Sequence, residues 1–372
     1  MRDAPDLDPR ILARPHQIAC RVRSYYGGDI VADDIPVISG ELTADDSQAV
    51  PERLTLQVPV RDAGTVWEPV DPADPLNNFG QRLEVAAYII PRARMANIEV
   101  PLGQFRIQSW EASRDVVSVD AVGLLSLVEE SRLTVPTSPL SGQTFSEAVE
   151  WLLDDLLPIE YGPDLPDDDE MSQIVQWDQD RLGALFDVLD AWGVRGRVNG
   201  EGVFMVTAHP ESSSEPVVTW RDGERGTVVS APRSGGRDGI FNAVVARSSS
   251  QELEEYQRMI AQATVFSQDA VIGWESPFGR VPYFHTSPLI RSASQAQRTA
   301  RTILQRVTRW ATTRVVTAVP DPRPELGDIG RIVTTEHAGP ADLTGEVVGY
   351  RLPLTAAQGA AQYTVSTMGV VA

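Results

Sequence analysis

Between residues 53 and 60 apolar and polar side chains alternate strictly: Leu54, Leu56, Val58 and Val60 fall on one side, Arg53, Thr55 and Gln57 on the other. Period two is the pattern of a strand buried on one face only. The alternation through 17–26 runs into Gly27, Gly28 and Asp29, which predicts a strand entering a hairpin turn. Strands are also predicted at 35–42, 82–90, 104–110 and 115–122, whereas 68–79, with Pro69, Pro72 and Pro75, is predicted as a loop. A run of strands with no long helix among them favours a barrel or sandwich over a βαβ arrangement.

The period changes after Pro136. Thr144 and Glu147 are spaced as a capping box, and Phe145, Ala148, Val149, Leu152, Leu153 and Leu156 recur at helical spacing until Pro158. A second helix is predicted over 180–192, with Leu182, Leu185, Phe186 and Leu189 on one side and Gly193 as its stop. Gly193, Gly196, Gly200 and Gly202 follow a helix, do not match a dinucleotide-binding glycine pattern, and predict a hairpin instead. Short strands are expected near 203–208 and 217–220, and a boundary at 231–239. A third helix is predicted at 293–310, with Ser292 and Gln295 placed as a capping box and Ala296, Ala300, Ile303, Leu304 and Val307 as its apolar stripe. A meander at 312–319, 329–335, 346–354 and 362–370 follows. No repeat of solenoid length is visible.

Composition then narrows the chemistry. The net charge is −20, and residues 1–190 hold 35 acidic against 14 basic side chains while 191–372 are nearly neutral. So acidic a chain repels phosphate, and DNA is expected to pass it without specific binding. All 32 basic residues are Arg, which removes P-loop, kinase and pyridoxal chemistry, each of which needs a lysine. The bias reads as a GC-rich coding genome. One cysteine, Cys20, allows no disulfide within the chain. With His16, Ile18 and Val22 at period two it reads as a buried strand residue, since a zinc site wants about four clustered ligands. No run approaches the ~20 apolar residues of a membrane span. Asp3, Asp6 and Asp8 argue against a signal or transit peptide, so synthesis in the cytoplasm without membrane insertion is expected.

The acids of 167–170 are contiguous and lack a central glycine, so they read as a solvated loop rather than a calcium site. His16, His209, His285 and His337 stand far apart, no G-x-S-x-G elbow occurs, and Cys20 lacks the context of a catalytic thiol. A glycosidase-type carboxylate pair is not legible in a sequence, because its members need only meet in space. No catalytic residue, cofactor or metal is therefore assigned. One feature is positive: no acid lies between Glu275 and Asp321, whereas seven arginines do. Arg298, Arg301, Arg306 and Arg309 fall on the third helix, which is read either as a solvated face or as an interface for a carboxylate-bearing partner, copies of this chain included.

In order along the chain, the stretch 34–43 (Asp-Ile-Pro-Val-Ile-Ser-Gly-Glu-Leu-Thr) leading into 53–58, the strand 242–247 (Asn-Ala-Val-Val-Ala-Arg), Ser276-Pro277-Phe278-Gly279, Ser287-Pro288, the helix from Ser294, Pro324-Glu325-Leu326-Gly327-Asp328-Ile329-Gly330, and 345–350 through Pro353-Leu354-Thr355 resemble tail-tip, or baseplate, hub proteins of long-tailed phages, of the actinobacteriophage minor tail protein type. The resemblance implies a mainly β fold with α+β character: two tail-tube-like β-barrel domains, at 1–135 and 236–372, the latter with helix 293–310, and a smaller acidic α/β domain at 136–235 between them. It implies a homotrimeric ring at the tail tip of the virion, touching the distal tail protein, the tape-measure protein and fibre or receptor-binding proteins. Longer members carry lytic or adhesive extensions after the hub. Nothing follows Ala372 in this sequence, so neither role is expected. The alternatives are a virion-associated glycoside hydrolase using carboxylates and a cell-surface carbohydrate-binding module, the latter weakened by the scatter of the eight Trp.

Overall fold

The computed structural model describes all residues except 3, 93–96, 172–174, 210–214, 233–236, 238–239, 250–253, 255–256, 258–260, 269–270, 310–312, 338 and 368–372, and the backbone alone at 305–306, 309, 336–337, 339–341 and 367. After a short helix, α1 (Pro9–Leu12), the N-terminal region forms strands β1 (His16–Tyr26), β2 (Asp29–Ala32), β3 (Ser39–Asp45), β4 (Glu52–Pro59), the small hairpin β5 (Arg61–Asp62) and β6 (Thr65–Val66), then β7 (Arg82–Pro91), β8 (Ile98–Ala112) and β9 (Val116–Gly123). The central region has α2 (Leu125–Glu130), α3 (Phe145–Leu153), β10 (Ile159–Tyr161), α4 (Arg181–Trp192), β11 (Val194–Val198) and β12 (Phe204–Ala208). The remainder is β13 (Val218–Arg221), β14 (Val228–Ser230), β15 (Ala243–Ser248), β16 (Gln262–Phe266), β17 (Pro282–Ser287), α5 (Ala293–Arg309), β18 (Thr313–Ala318), β19 (Ile329–His337), β20 (Gly339–Pro353) and β21 (Ala361–Thr367).

Thirteen strands make one sheet, in the order β14-β18-β21-β20-β3-β4-β9-β8-β7-β1-β2, with β19 on β20 and β13 on β19. The alternation at 53–60 does what period two dictates: Leu54, Leu56 and Val58 are buried and Arg53, Thr55 and Gln57 are exposed. One apolar core follows from strand to strand across the whole sheet, from Val22 and Leu83 at one end to Val316 and Val365 at the other. The two expected barrels are therefore corrected. Among the described residues no barrel closes, and the N- and C-terminal β regions join edge to edge. Half of the long strand β20 pairs with β19 and the other half with β3, Leu352 opposite Leu42 and Tyr350 opposite Ala44. A strand that stopped at a barrel rim would leave those backbone groups without ladder partners; continuing the ladder satisfies them.

The central region packs three helices on the small sheet β10-β12-β11 around its own core of Phe145, Leu152, Leu185 and Phe204. Both halves of the capping box form on α3, between Thr144 and Glu147. The helix ends at Asp154 in the left-handed region, earlier than Pro158 requires. Asp180 caps α4 and Gly193, at φ 86°, ends it. The predicted hairpin is β11–β12, closed by Asn199 and Gly202. Strands β13 and β14, beyond this unit, pair with β19 and β18 in the large sheet. A third layer was not legible as such: β15 lies between antiparallel β16 and parallel β17, and α5 covers one face through Ala296, Ala300, Ile303, Leu304 and Val307. Ser292 Oγ accepts from the Gln295 amide, but the Gln295 side chain accepts from Arg291 N at 2.7 Å, one residue before the expected partner.

Candidate functional site

The layers meet at a cavity of about 420 Å³, walled by the β3–β4 turn, β8, the end of β9, α4, β11 and the loop 325–327. Its polar lining comes from residues far apart in sequence. From β11, Arg195 donates to Glu346 Oε1 at 2.8 Å and to Gly327 O at 3.1 Å, while Arg197 donates to Leu326 O at 2.6 Å. These two residues stand at period two in a short strand, so both reach the same way. Across the cavity the buried Arg2 guanidinium donates to Pro322 O and Pro324 O, each at 2.8 Å, to Leu102 O at 3.3 Å and to Tyr350 Oη at 2.7 Å. One side chain thus fastens the N-terminal segment, β8, the 322–324 loop and β20. Asp321 and Arg323 pair through a two-pronged contact at 2.6 and 2.9 Å beneath them, and Arg323 also donates to Leu7 O.

The carboxylates of the cavity are unequal. Burial raises Glu52 from 4.5 to about 7, against the pull of Arg2 and Arg197 and with the help of Glu325. At Glu325 burial works upward too, but Arg2, Arg197 and the amino group of Met1 outweigh it and hold the carboxyl below its ordinary range. A raised and a lowered carboxyl in one cavity is the polarity an acid–base pair needs. Here, however, Glu325 and Glu346 each face an arginine that also binds backbone of the same wall. The geometry is that of a seam holding the large sheet and the central unit in register.

The other candidate residues divide. Arg298 forms an ion pair with Asp169 of the acidic loop, and Arg291 donates to Met171 O at 3.3 Å, so the start of α5 is tied to the central unit. Arg301 is exposed. The side chains of Arg306 and Arg309 lie outside the described residues. The acidic run is held in part by Asp168, which accepts from Ser146 N and Oγ at the start of α3. Cys20 is largely buried, which pushes its thiol up to about 12, and no group of three or more His, Cys, Asp or Glu side chains among the described residues is arranged to hold a metal. Sequence reasoning missed Arg2, Arg195, Arg197, Glu325 and Glu346. Only the alternate arginines of β11 carried a signal, two long cations at period two in one short strand.

The assembled fold defines a class: the chain has the fold of phage-type tail proteins. It is similar to the tail protein from Neisseria meningitidis MC58, at TM-score 0.65 and 12% identity over 94% of this chain and 97% of that one. It is similar also to the prophage tail protein gp18 from Listeria monocytogenes EGD-e, at 0.59 and 10% over 93% and 94%, and to the 43 kDa tail protein of prophage MuSo2 from Shewanella oneidensis, at 0.58 and 12% over 94% and 98%. No family model and no curated protein matches the sequence.

Proposed function

We propose that this chain is the structural hub of a phage tail tip and not an enzyme. The supporting observation is the extent of the likeness: three tail proteins match 93% or more of this chain and 94% or more of their own, so the shared fold is not confined to one sheet. In this reading three copies close a ring that continues the tail tube. The two strand-rich regions, 1–135 and 236–372, the latter together with β13 and β14, supply six tube-like units around a channel. The acidic α/β segment lies outside. The distal tail protein, the tape-measure protein and fibre or receptor-binding proteins are its neighbours in the virion, and DNA passes without specific binding. Arg301, with Arg306 and Arg309, is offered to a neighbouring carboxylate surface, whereas Arg298 is used within the chain. The seam around Arg2, Arg195 and Arg197 supports this role by fastening the central unit to the large sheet.

Electron cryomicroscopy of particles carrying a labelled copy tests the proposal. A three-fold density at the distal end of the tail is expected, and purified chain should leave peptidoglycan and polysaccharide uncleaved. A monomer in the particle, a position away from the tail tip, or hydrolysis abolished by Glu52→Gln would overturn it.

A further inference from the structure

α5 covers only one face of the β15–β17 sheet, the one bearing Val244, Ala246, Ala263, Val265 and Tyr283. Strand register sets Val245, Thr264 and Phe284 in one row of the opposite face and Arg247, Gln262 and Thr286 in the next. Phe284 is 60% exposed and Phe266, on the same face, 39%. The Arg247 guanidinium lies 5.5 Å over the Phe284 ring, and Phe266 meets Trp274, over which Arg280 lies at 5.5 Å. Exposed aromatics under arginines are the residue types that dominate protein interfaces.

The complement is on the same chain. The buried side of α3 is Phe145, Ala148, Val149, Leu152 and Leu153, and its outer side presents Trp151, 39% exposed, amid the exposed Glu147, Glu150, Asp154 and Asp155. Glu147 stands one turn before Trp151 on the same face of α3, and Asp154 and Asp155 follow directly where the chain leaves the helix. Residues 141–190 carry 14 acids against Arg181 alone, so identical acidic faces repel one another, while the outer face of β15–β17 presents Arg247, with Arg280 beside it in an ion pair with Glu275. Unlike faces attract.

We propose that the outer face of β15–β17 docks on the Trp151 face of α3 in a second copy of this chain. The contact is head to tail, and repeated by rotation it closes into a ring rather than a two-fold dimer. It rests on the ring proposed above and names the surfaces that form it.

Analytical ultracentrifugation of the full chain tests it. Arg247→Glu with Arg280→Glu, and separately Glu150→Arg with Trp151→Arg, alter exposed positions and should keep the circular dichroism of the parent. Each pair of changes should weaken assembly by about tenfold or more, and joining all four changes in one chain, so that every copy again meets an unlike face around the ring, should restore it. Assembly unaffected by either pair, no restoration, or a parent chain that stays monomeric while its aromatic face captures an acidic peptide or a sugar would each overturn the contact. A trimer seen at the tail tip with no response to the charge swap rejects this surface and spares the hub. A charge swap that works in a protein absent from the tail does the reverse.

Discussion

The seam between β3 and β20 makes a quantitative demand on stability. Leu42 and Leu352 sit directly opposite one another, 0% and 1% exposed, and Leu54 stands on the other side of Leu42. Truncating either to alanine removes its buried methyl groups and leaves a cavity in a sheet that is fixed on both flanks. About 3 kcal/mol is expected for each, within the range for buried Leu→Ala changes. With a urea dependence of about 3 kcal/mol per M for a chain this large, each midpoint should fall by about 1 M. Because the two side chains share one site, Leu42→Ala with Leu352→Ala should depart from the sum by about 1 kcal/mol, whereas Leu42→Ala with Ile303→Ala, in separate cores, should add within about 0.5 kcal/mol. Urea titrations followed by tryptophan fluorescence and by far-ultraviolet circular dichroism supply the four corners of each cycle. If Leu42→Ala produced an early transition confined to the N-terminal strands while Trp220, packed against the tilted ring of Tyr363, kept its native emission, or if the Leu42–Leu352 cycle were additive, the continuous sheet would be refuted.

Glu52 has its folded-state pKa raised from 4.5 to about 7, chiefly by burial and facing Arg2, Glu325 and Arg197. Its contribution is fully present below about pH 4.5 and is lost as pH rises through 7. Glu52→Gln should therefore match the parent at pH 4 and exceed it by about 3 kcal/mol at pH 8 in urea titrations; equal differences at both pH values would show that the carboxyl does not titrate this way. Arg298→Glu opposes Asp169 instead of pairing with it, and should loosen the acidic loop from α5 with a loss of about 1 kcal/mol or less in overall stability. Hydrogen exchange should then quicken around 167–171 and leave β4 unchanged, and unaltered exchange at the loop would remove the ion pair from the account.

The local elements were written in short-range pattern. Strict alternation at 53–60, the Thr144–Glu147 box and Gly193 at positive φ each fix backbone within a few residues, and β4, α3 and α4 formed where those signals stood. Composition likewise excluded the lysine chemistries without any reference to shape. Which strand lies beside which was not written there, because period two says which side chains are buried and not against what. The two β regions therefore read as separate barrels until the ladder of β20 passed from β19 to β3, bringing Leu352 to Leu42 across the length of the chain. The seam had the same obstacle: Arg2 and Tyr350 are 348 positions apart, and their contact exists only once the sheet brings both ends of the chain to one place. Arg298 shows the limit from the other side. Helical spacing put it on a polar face, but whether that face meets solvent, a second copy or this chain's own Asp169 depends on how α5 is laid against α4, and that is decided by packing.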